Sequence, residues 1–136
     1  MKQEQILRVA ADTDRLYEVL DFVNAMLEKN DCSLKTQMLI DVCLEELFVN
    51  IAHYAYPNGV GWAEVRISVS DGAAVITLVD GGTPYNPLEK PDPDVTLNAD
   101  ERAIGGLGIF MVKKKMDTMT YAYEDGHNVL TISKKL

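Results

Sequence analysis

The stretch Trp62–Asp80, WAEVRISVSDGAAVITLVD, decides the fold of this chain. Two runs rich in β-branched residues flank an Asp71-Gly72 pair, and this arrangement is a strong short-range signal of a β-hairpin. Every second residue from Val65 to Val69 is aliphatic, and polar residues lie between them. One face of the resulting sheet is therefore expected to be apolar and to need a covering layer.

The segments on either side of this hairpin supply the covering layer. The patterns predict a strand over Gln5 to Ala10, a helix that begins at an Asp12 or Thr13 cap and runs to Asn30, a helix from a Ser33 cap to about Tyr56, a third helix over Leu107 to Asp117, and a second hairpin over Thr118 to Leu136. The order β-α-α-β-β-loop-α-β-β predicts the α+β class. We expect a two-layer α/β sandwich in which three helices cover one face of a mostly antiparallel, mixed sheet.

The composition limits the classes of function. The 136 residues are 47% hydrophobic, which suits one globular domain over residues 1–136. The net charge of −8 argues against a nucleic-acid or anionic-membrane partner, for which a basic patch is expected. No apolar run resembles a signal peptide or a membrane span. Cys32 and Cys43 lack metal-site spacing and are expected to be reduced thiols, so a cytoplasmic location is predicted.

The segment from Gly81 to Ile104 differs from the rest of the chain. It carries four of the five prolines, shows no helical or strand periodicity, and has glycines at both ends. Long segments of this kind in compact domains are usually lids or binding loops. We therefore predict a lid over residues 81–104.

The second helix carries two polar residues, Glu46 and Asn50, one turn apart within an apolar arc. A helical wheel at about 100° per residue assigns the residues of this helix to two sides. The predicted solvent side holds Asp41, Glu45 and Ala52; the predicted buried side holds Leu39, Val42, Cys43 and Leu47, with His53 and Tyr54 extending it. Burying an unpaired carboxylate is costly, so Glu46 needs an explanation.

Two explanations remain open for Glu46 and Asn50. In the first, Glu46 lies at the rim of the core and bonds a loop amide. In the second, this helix forms the floor of a site in which Glu46 acts as a base and Asn50 is an oxygen ligand. Amide and carboxylate oxygens suit Mg²⁺, which is commonly held by one or two protein groups together with substrate phosphates.

Two further motifs indicate a site. Asp80, Gly82 and Pro84 form D-x-G-x-P at the end of an apolar strand, where a carboxylate can accept a hydrogen bond from a ligand amino group. A group of glycines opens the third helix, where free N–H groups and the positive dipole end favour an anion. These glycines are Gly105, Gly106 and Gly108. Taken alone, the D-x-G motif is also common in plain turns at strand ends, and glycines at a helix start also occur for packing reasons.

Taken together, the boxes EELFVN at 45–50, DGGTP at 80–84 and GGLGIF at 105–110 resemble those of the GHKL ATPases, the superfamily of gyrase, heat-shock chaperones, histidine kinases and MutL. Within that superfamily the chain looks most like the bacterial anti-sigma-factor serine kinases of the RsbW and SpoIIAB type. Those proteins share an Ala-Tyr pair after the first box and a Met-Asp pair after the third helix. The resemblance implies the Bergerat-type ATP-binding fold.

The resemblance also implies roles for individual residues. Asn50 would bind the Mg²⁺ on ATP, Glu46 would be the general base, and Asp80 would bind the adenine amino group. Further nucleotide contacts are implied for Gly82, Pro84, Gly105, Gly106, Leu107 and Gly108, and for Arg102, which could reach the γ-phosphate from the lid. His53 either touches a phosphate or is satisfied in helix packing. Where many family members carry a threonine near the adenine, this chain has Asn128 or Val129.

The function implied is an ATP-dependent serine/threonine kinase that acts as an anti-sigma-type regulator. It would bind a sigma factor or an analogous protein, and it would phosphorylate a serine on a small antagonist protein. A homodimer formed through the sheet face is compatible with the resemblance. Two alternatives are a non-catalytic ATP-sensing partner switch and a detached histidine-kinase catalytic domain, although the first helix contains no phosphoacceptor histidine.

Overall fold

A computed structural model describes residues 4–89 and 106–136 of the chain. The elements within these ranges follow the predicted order. They are β1 (Glu4–Ala10), a 3₁₀ turn (Thr13–Arg15), α1 (Leu16–Lys29), α2 (Leu34–Tyr54), β2 (Trp62–Ser70), β3 (Ala73–Asp80), a 3₁₀ turn (Pro87–Glu89), α3 (Gly106–Lys115), β4 (Thr118–Glu124) and β5 (His127–Lys135). The α+β class is confirmed.

The five strands form one sheet in the order β1-β2-β3-β5-β4. All four pairings between the described strands are antiparallel, so this part of the chain contains no parallel pair of the kind that a mixed sheet would have. The predicted hairpin turn is present, with positive φ at Asp71 (53°) and Gly72 (75°). Positive φ at both central residues is what a two-residue hairpin turn requires, because its twist then matches that of the strands.

The core lies between the sheet and the helices, and α2 contacts both α1 and α3. Side chains from each of the three helices and from the sheet are fully buried. They include Val19, Val23 and Leu27 from α1, Ile40, Leu44 and Phe48 from α2, Val112 from α3, and Val65, Ile67, Ile76, Leu78 and Ile132 from the sheet. Burial of such apolar surface is the main stabilising contribution to a domain of this size.

The predicted cap is present at α2, whereas α1 begins later than predicted and has no side-chain cap. The Ser33 hydroxyl accepts a hydrogen bond from the Thr36 N–H at 3.2 Å, which satisfies one of the free donors at the start of α2. The Asp12 carboxylate accepts from the Asp14 N–H at 2.9 Å and caps the 3₁₀ turn, so the α-helix itself begins only at Leu16. Among the described helices, none is long and apolar enough to cross a membrane.

The helical wheel for α2 was wrong at several positions. Val42 was assigned to the buried side but is 49% exposed, and Tyr54, expected to extend that side, is 61% exposed. His53 is exposed too, whereas Asp41, assigned to solvent, is half-buried. The physical reason is that α2 joins the core shared with the sheet and the other helices through Ile40, Leu44, Leu47 and Phe48, and this buried face does not include Val42. The assignments of Cys43 and Leu47 as buried and Glu45 as exposed are confirmed.

Candidate functional site

A pocket opens where the C-terminal half of α2 faces the end of β3. Its walls are mostly aliphatic: Leu47, Ile51, Leu78, Ile109 and Leu130. Ala55 and Pro87 complete the apolar lining, and six polar side chains also line the pocket: Asn50, Asp80, Thr83, Tyr85, Tyr121 and Asn128. Apolar walls with a few polar groups are typical of pockets that bind small organic ligands. The structure thus brings Asn50 and Asp80, predicted from separate boxes, to one pocket.

Asp80 ends β3 and is only 4% exposed. Its Oδ1 accepts two hydrogen bonds of 2.9 Å, one from the Gly82 N–H and one from the Asn128 side-chain amide. No group within the described residues hydrogen-bonds Oδ2. Because Asp80 lines the pocket, this second oxygen is the acceptor that remains for a ligand amine.

Asn128 is the residue that the sequence left open between two positions. The antiparallel register of β3 and β5 places Asn128 opposite Asp80 and pairs Val129 with Val79. Neighbouring residues of a strand point to opposite faces, so Asn128 faces the pocket and Val129 does not. The signal in the sequence was the departure from threonine in the last strand, but the choice between the two residues required the register.

Gly82 allows two backbone segments to approach closely. A Cβ at Gly82 would lie 2.2 Å from the Ala55 carbonyl oxygen, far below a real contact distance. The same carbonyl accepts a 2.8 Å hydrogen bond from the Thr83 N–H, which ties the chain after β3 to the end of α2. Thr83 lines the pocket; Gly82 instead lines a shallower depression that Pro57 and its neighbours border.

Glu46 contacts α3 rather than a loop amide. A Cβ built on Gly108 would lie 1.9 Å from the Glu46 Oε1, so the carboxylate fits against α3 only because residue 108 is glycine. α3 begins at Gly106, and the N-terminal turn of a helix carries free N–H groups and a partial positive charge. Glu46 and this turn together form an edge at which a carboxylate and free N–H donors are adjacent.

The remaining predicted residues either do not line the pocket or lie outside the described residues. His53 and Pro84 are exposed, and neither lines the pocket; the His53 ring lies edge-on to Tyr54 at 6.0 Å. Arg102 and Gly105, with most of the predicted lid (residues 90–104), lie outside the described residues. For Gly106 and Leu107 the structure describes the helical backbone only.

Two tyrosines for which the sequence predicted no role lie at or beside the pocket: Tyr121 lines it, and Tyr56, noted only as part of the Ala-Tyr pair, lines the neighbouring depression. The Tyr56 hydroxyl donates to the Trp62 carbonyl at 2.5 Å and accepts from the Gly81 N–H at 2.8 Å, which joins the start of β2 to the end of β3. The Tyr121 hydroxyl donates to the Asn128 Oδ1. Burial raises the pKa of both phenols, so both remain protonated donors at neutral pH.

Comparisons with known proteins agree with this architecture. A family model described as "Histidine kinase-like ATPase domain" matches residues 9–134. The serine/threonine-protein kinase BtrW of Bordetella bronchiseptica is 24% identical over 123 residues, which are 89% of this chain and 83% of that protein.

A solved structure of the RsbU and RsbW domains of Rv1364c from Mycobacterium tuberculosis superposes with a TM-score of 0.67 at 14% identity. The match covers 97% of this chain but only 32% of that chain, so this chain spans about a third of that structure. At this identity the likeness shows the fold alone.

Proposed function

The chain belongs to the histidine kinase-like ATPase domain family, and on that premise we propose that it is an ATP-dependent serine/threonine protein kinase that works as an anti-sigma-type regulator. Its substrate would be a serine on a small antagonist protein, and its other partner a sigma factor or an analogous regulatory protein. The proposal treats residues 1–136 as one catalytic domain in the cytoplasm.

The observation that carries this proposal is the convergence of Asp80, Asn50 and Glu46 from two elements. Asp80 and Asn50 line one pocket, and Glu46 lies on the same helix as Asn50, one turn earlier, against the start of α3. These three groups suit the three parts of ATP. The Asp80 carboxylate in the pocket suits the adenine base, the Asn50 oxygen suits the metal-bound phosphates, and the Glu46 carboxylate beside the helix N-terminus suits the reacting end.

The pocket residues fit an adenine base. The aliphatic walls suit a flat ring, and Asp80 Oδ2 can accept from an exocyclic amine. The close approach of Thr83 to Ala55, which Gly82 permits, brings the chain after β3 against the end of α2 beside the pocket. These features support adenine binding by this chain.

Magnesium would be held by Asn50 together with phosphate oxygens. The described residues contain no group of three or more His, Cys, Asp or Glu side chains that could hold a metal ion. Mg²⁺ usually keeps several waters and takes only one or two protein ligands beside substrate phosphates. When bound, it would neutralise phosphate charge, which an acidic protein needs in order to accept ATP.

Glu46 would accept the proton of the substrate serine as the serine oxygen bonds to the γ-phosphorus of ATP. The bond from that phosphorus to the β-phosphate oxygen would break, and ADP would leave. A serine hydroxyl is a weak nucleophile, and a positioned carboxylate base assists it. The backbone N–H groups of the first turn of α3 would donate to phosphate oxygens, since a helix N-terminus favours anions. Phosphoryl transfer depends mainly on such positioning and charge stabilisation.

The similarity to a named kinase supports the choice of substrate class. BtrW is named a serine/threonine-protein kinase, and the likeness to it covers most of both chains. The antagonist, the sigma-type partner and a homodimer formed through the sheet face remain parts of the proposal that follow from the resemblance of the sequence boxes to anti-sigma-factor kinases.

The direct test is Glu46→Gln, with Glu45→Gln as the matched control on the exposed neighbour. ATP binding with Mg²⁺ is measured by calorimetry, and transfer of labelled phosphate is measured with small antagonist proteins of the source organism as acceptors. We expect Glu46→Gln to lower the transfer rate by about 10²- to 10⁴-fold, with ATP binding retained and Glu45→Gln active. Transfer at the wild-type rate by Glu46→Gln would remove Glu46 as the base.

The same experiment separates the alternatives. Binding of a partner protein that depends on ATP without any phosphate transfer would favour a non-catalytic ATP-sensing switch. Phosphate that appears on a histidine, recognised by its lability in acid, would favour a histidine-kinase catalytic domain.

A further inference from the structure

We propose that Asn128 is the positioning residue that gives the pocket its preference for an amino-bearing purine, because it holds Asp80 with one oxygen available and fixes segment 83–85 at the mouth of the pocket. The inference rests on the proposed nucleotide function. It assigns a role to a residue that none of the three sequence boxes contains.

Asn128 is 6% exposed and uses its whole hydrogen-bonding capacity. Its Nδ2 donates to Asp80 Oδ1 and to the Thr83 carbonyl oxygen, both at 2.9 Å. Its Oδ1 accepts from the Tyr85 N–H at 3.1 Å and from the Tyr121 hydroxyl. An asparagine side chain offers two donors and one oxygen with two lone pairs, so all four positions are occupied.

The partners define the orientation of the Asn128 amide. A carboxylate and a carbonyl face Nδ2, and both can only accept. A backbone N–H faces Oδ1 and can only donate. Turning the amide over would therefore place acceptor against acceptor and donor against donor, which a buried site does not tolerate. The amide has one orientation and imposes it on Asp80.

This orientation determines what Asp80 can offer to a ligand. Asp80 Oδ1 is occupied by Asn128 and Gly82, so Oδ2 is the acceptor that remains. A 6-amino purine presents a donor to that oxygen, whereas a 6-oxo purine presents another acceptor. A site built to hydrogen-bond a ligand N–H discriminates strongly against the analogue that lacks it, because its buried polar group is left unpaired.

Asn128 also holds the first residues of the predicted lid. It bonds the carbonyl of Thr83 and the N–H of Tyr85, while the Thr83 N–H bonds the Ala55 carbonyl on the other side. Segment 83–85 is thus attached to β5 and to the end of α2 together. Since Thr83, Tyr85 and Tyr121 all line the pocket, loss of Asn128 changes both its floor and its wall.

The test compares the affinities for ATP and for inosine triphosphate, which carries oxygen in place of the 6-amino group. The main variant is Asn128→Asp, which keeps the size of the side chain but replaces Nδ2 with an oxygen that faces Asp80 and the Thr83 carbonyl. Tyr121→Phe is the milder variant, since it removes one hydrogen bond to Asn128 and keeps the ring.

The matched control is Thr131→Val. The Thr131 and Thr77 hydroxyls form a 3.2 Å hydrogen bond between the same two strands, β5 and β3. Thr77 and Thr131 are an odd number of residues from Asp80 and Asn128 along β3 and β5, so their side chains point to the opposite face of the sheet. This variant therefore removes a cross-strand hydrogen bond without touching the pocket.

We expect wild type and Thr131→Val to prefer ATP over inosine triphosphate by about a hundredfold or more. Asn128→Asp should bind ATP about ten- to a hundredfold more weakly, as expected for a lost hydrogen bond to a charged group, with the preference reduced toward unity. Tyr121→Phe should show a smaller change in the same direction, and this result stands even if Asn128→Asp does not fold.

An unchanged preference in both variants, or an equal loss of affinity for the two nucleotides, would overturn the role of Asn128 and leave the proposed kinase intact. Wild-type protein that binds neither nucleotide would instead overturn the proposed function itself.

Discussion

Two aspartate–asparagine pairs in this molecule have the same chemical groups and very different surroundings. At the pocket, Asn128 donates to Asp80 at 2.9 Å, and every polar position of the amide is occupied. Between α1 and α2, Asn24 donates to Asp41 at 3.3 Å, and the Oδ1 atoms of both residues are buried without a hydrogen-bond partner. The amide of the first pair has all its hydrogen-bonding positions occupied, whereas that of the second pair does not.

The difference indicates what distinguishes a candidate binding group from a structural polar contact. The oxygen that Asp80 keeps free belongs to a residue that lines a pocket, so a ligand can pair with it. The free oxygen of Asp41 is enclosed by protein, and burial raises the pKa of that carboxyl, with the Asn24 hydrogen bond opposing the change. A spare acceptor is useful to a ligand only where there is space to reach it.

The largest expected effect is a difference in ATP affinity between variants of the two aspartates. Asp80→Asn replaces the two acceptor oxygens with one oxygen and one amide donor, so the side chain can no longer accept from both Asn128 and a ligand amine. We expect the ATP affinity to fall about a hundredfold or more, whereas Asp41→Asn leaves it unchanged. Calorimetric titration with Mg²⁺-ATP measures both. Equal ATP affinity in the two variants would show that the Asp80 pair is not a binding group.

A smaller effect concerns the glycine that supports the Asp80 pair. Gly82→Ala would place a methyl group against the Ala55 backbone, which must shift, and the Gly82 N–H bond to Asp80 would be disturbed. We expect the free energy of unfolding to fall by about 1–3 kcal/mol, as for other forced overpacking, together with weaker ATP binding.

Gly108→Ala serves as the comparison, because its methyl group meets the end of the Glu46 side chain rather than backbone. Its stability loss should be smaller, and its loss of phosphate transfer larger. Chemical denaturation and the transfer assay distinguish these outcomes, and a stable Gly82→Ala protein with wild-type ATP affinity would contradict the role given to Gly82.

The smallest effect tests the unsaturated pair. Asp41→Asn gives residue 41 a donor that can reach the buried Asn24 Oδ1, so we expect the free energy of unfolding to rise by about 1 kcal/mol at pH 8. The exposed Asp21→Asn, on α1, controls for the loss of one negative charge.

The pH dependence of this gain has a definite sign. Because the pKa of Asp41 is raised in the folded state, its favourable contribution is complete below the unfolded value of about 3.9 and is lost as the pH rises through the folded value. The advantage of Asp41→Asn over wild type should therefore grow from pH 3 to pH 8 in denaturation experiments. An advantage that is constant across this range would contradict the assignment.

Local sequence patterns were sufficient to predict the helices and strands, but they did not predict which face of α2 is buried. Asp71-Gly72 predicted the central hairpin and Ser33 predicted the start of α2, because both signals act within a few residues. The wheel for α2 misplaced Val42 and Asp41, because the buried face of a helix depends on how it sits between its neighbours. Sequence periodicity alone does not contain that rotation.

The sequence by itself determined the order of elements, the antiparallel hairpins and the residue types that the three boxes hold, because these depend on local propensity and spacing. Only the tertiary structure decided that Asn128, 48 residues after Asp80, is the partner of that carboxylate and that Glu46 rests against Gly108. Both contacts depend on strand register and helix placement. Those are properties of the whole packed core, and no segment of the chain encodes them alone.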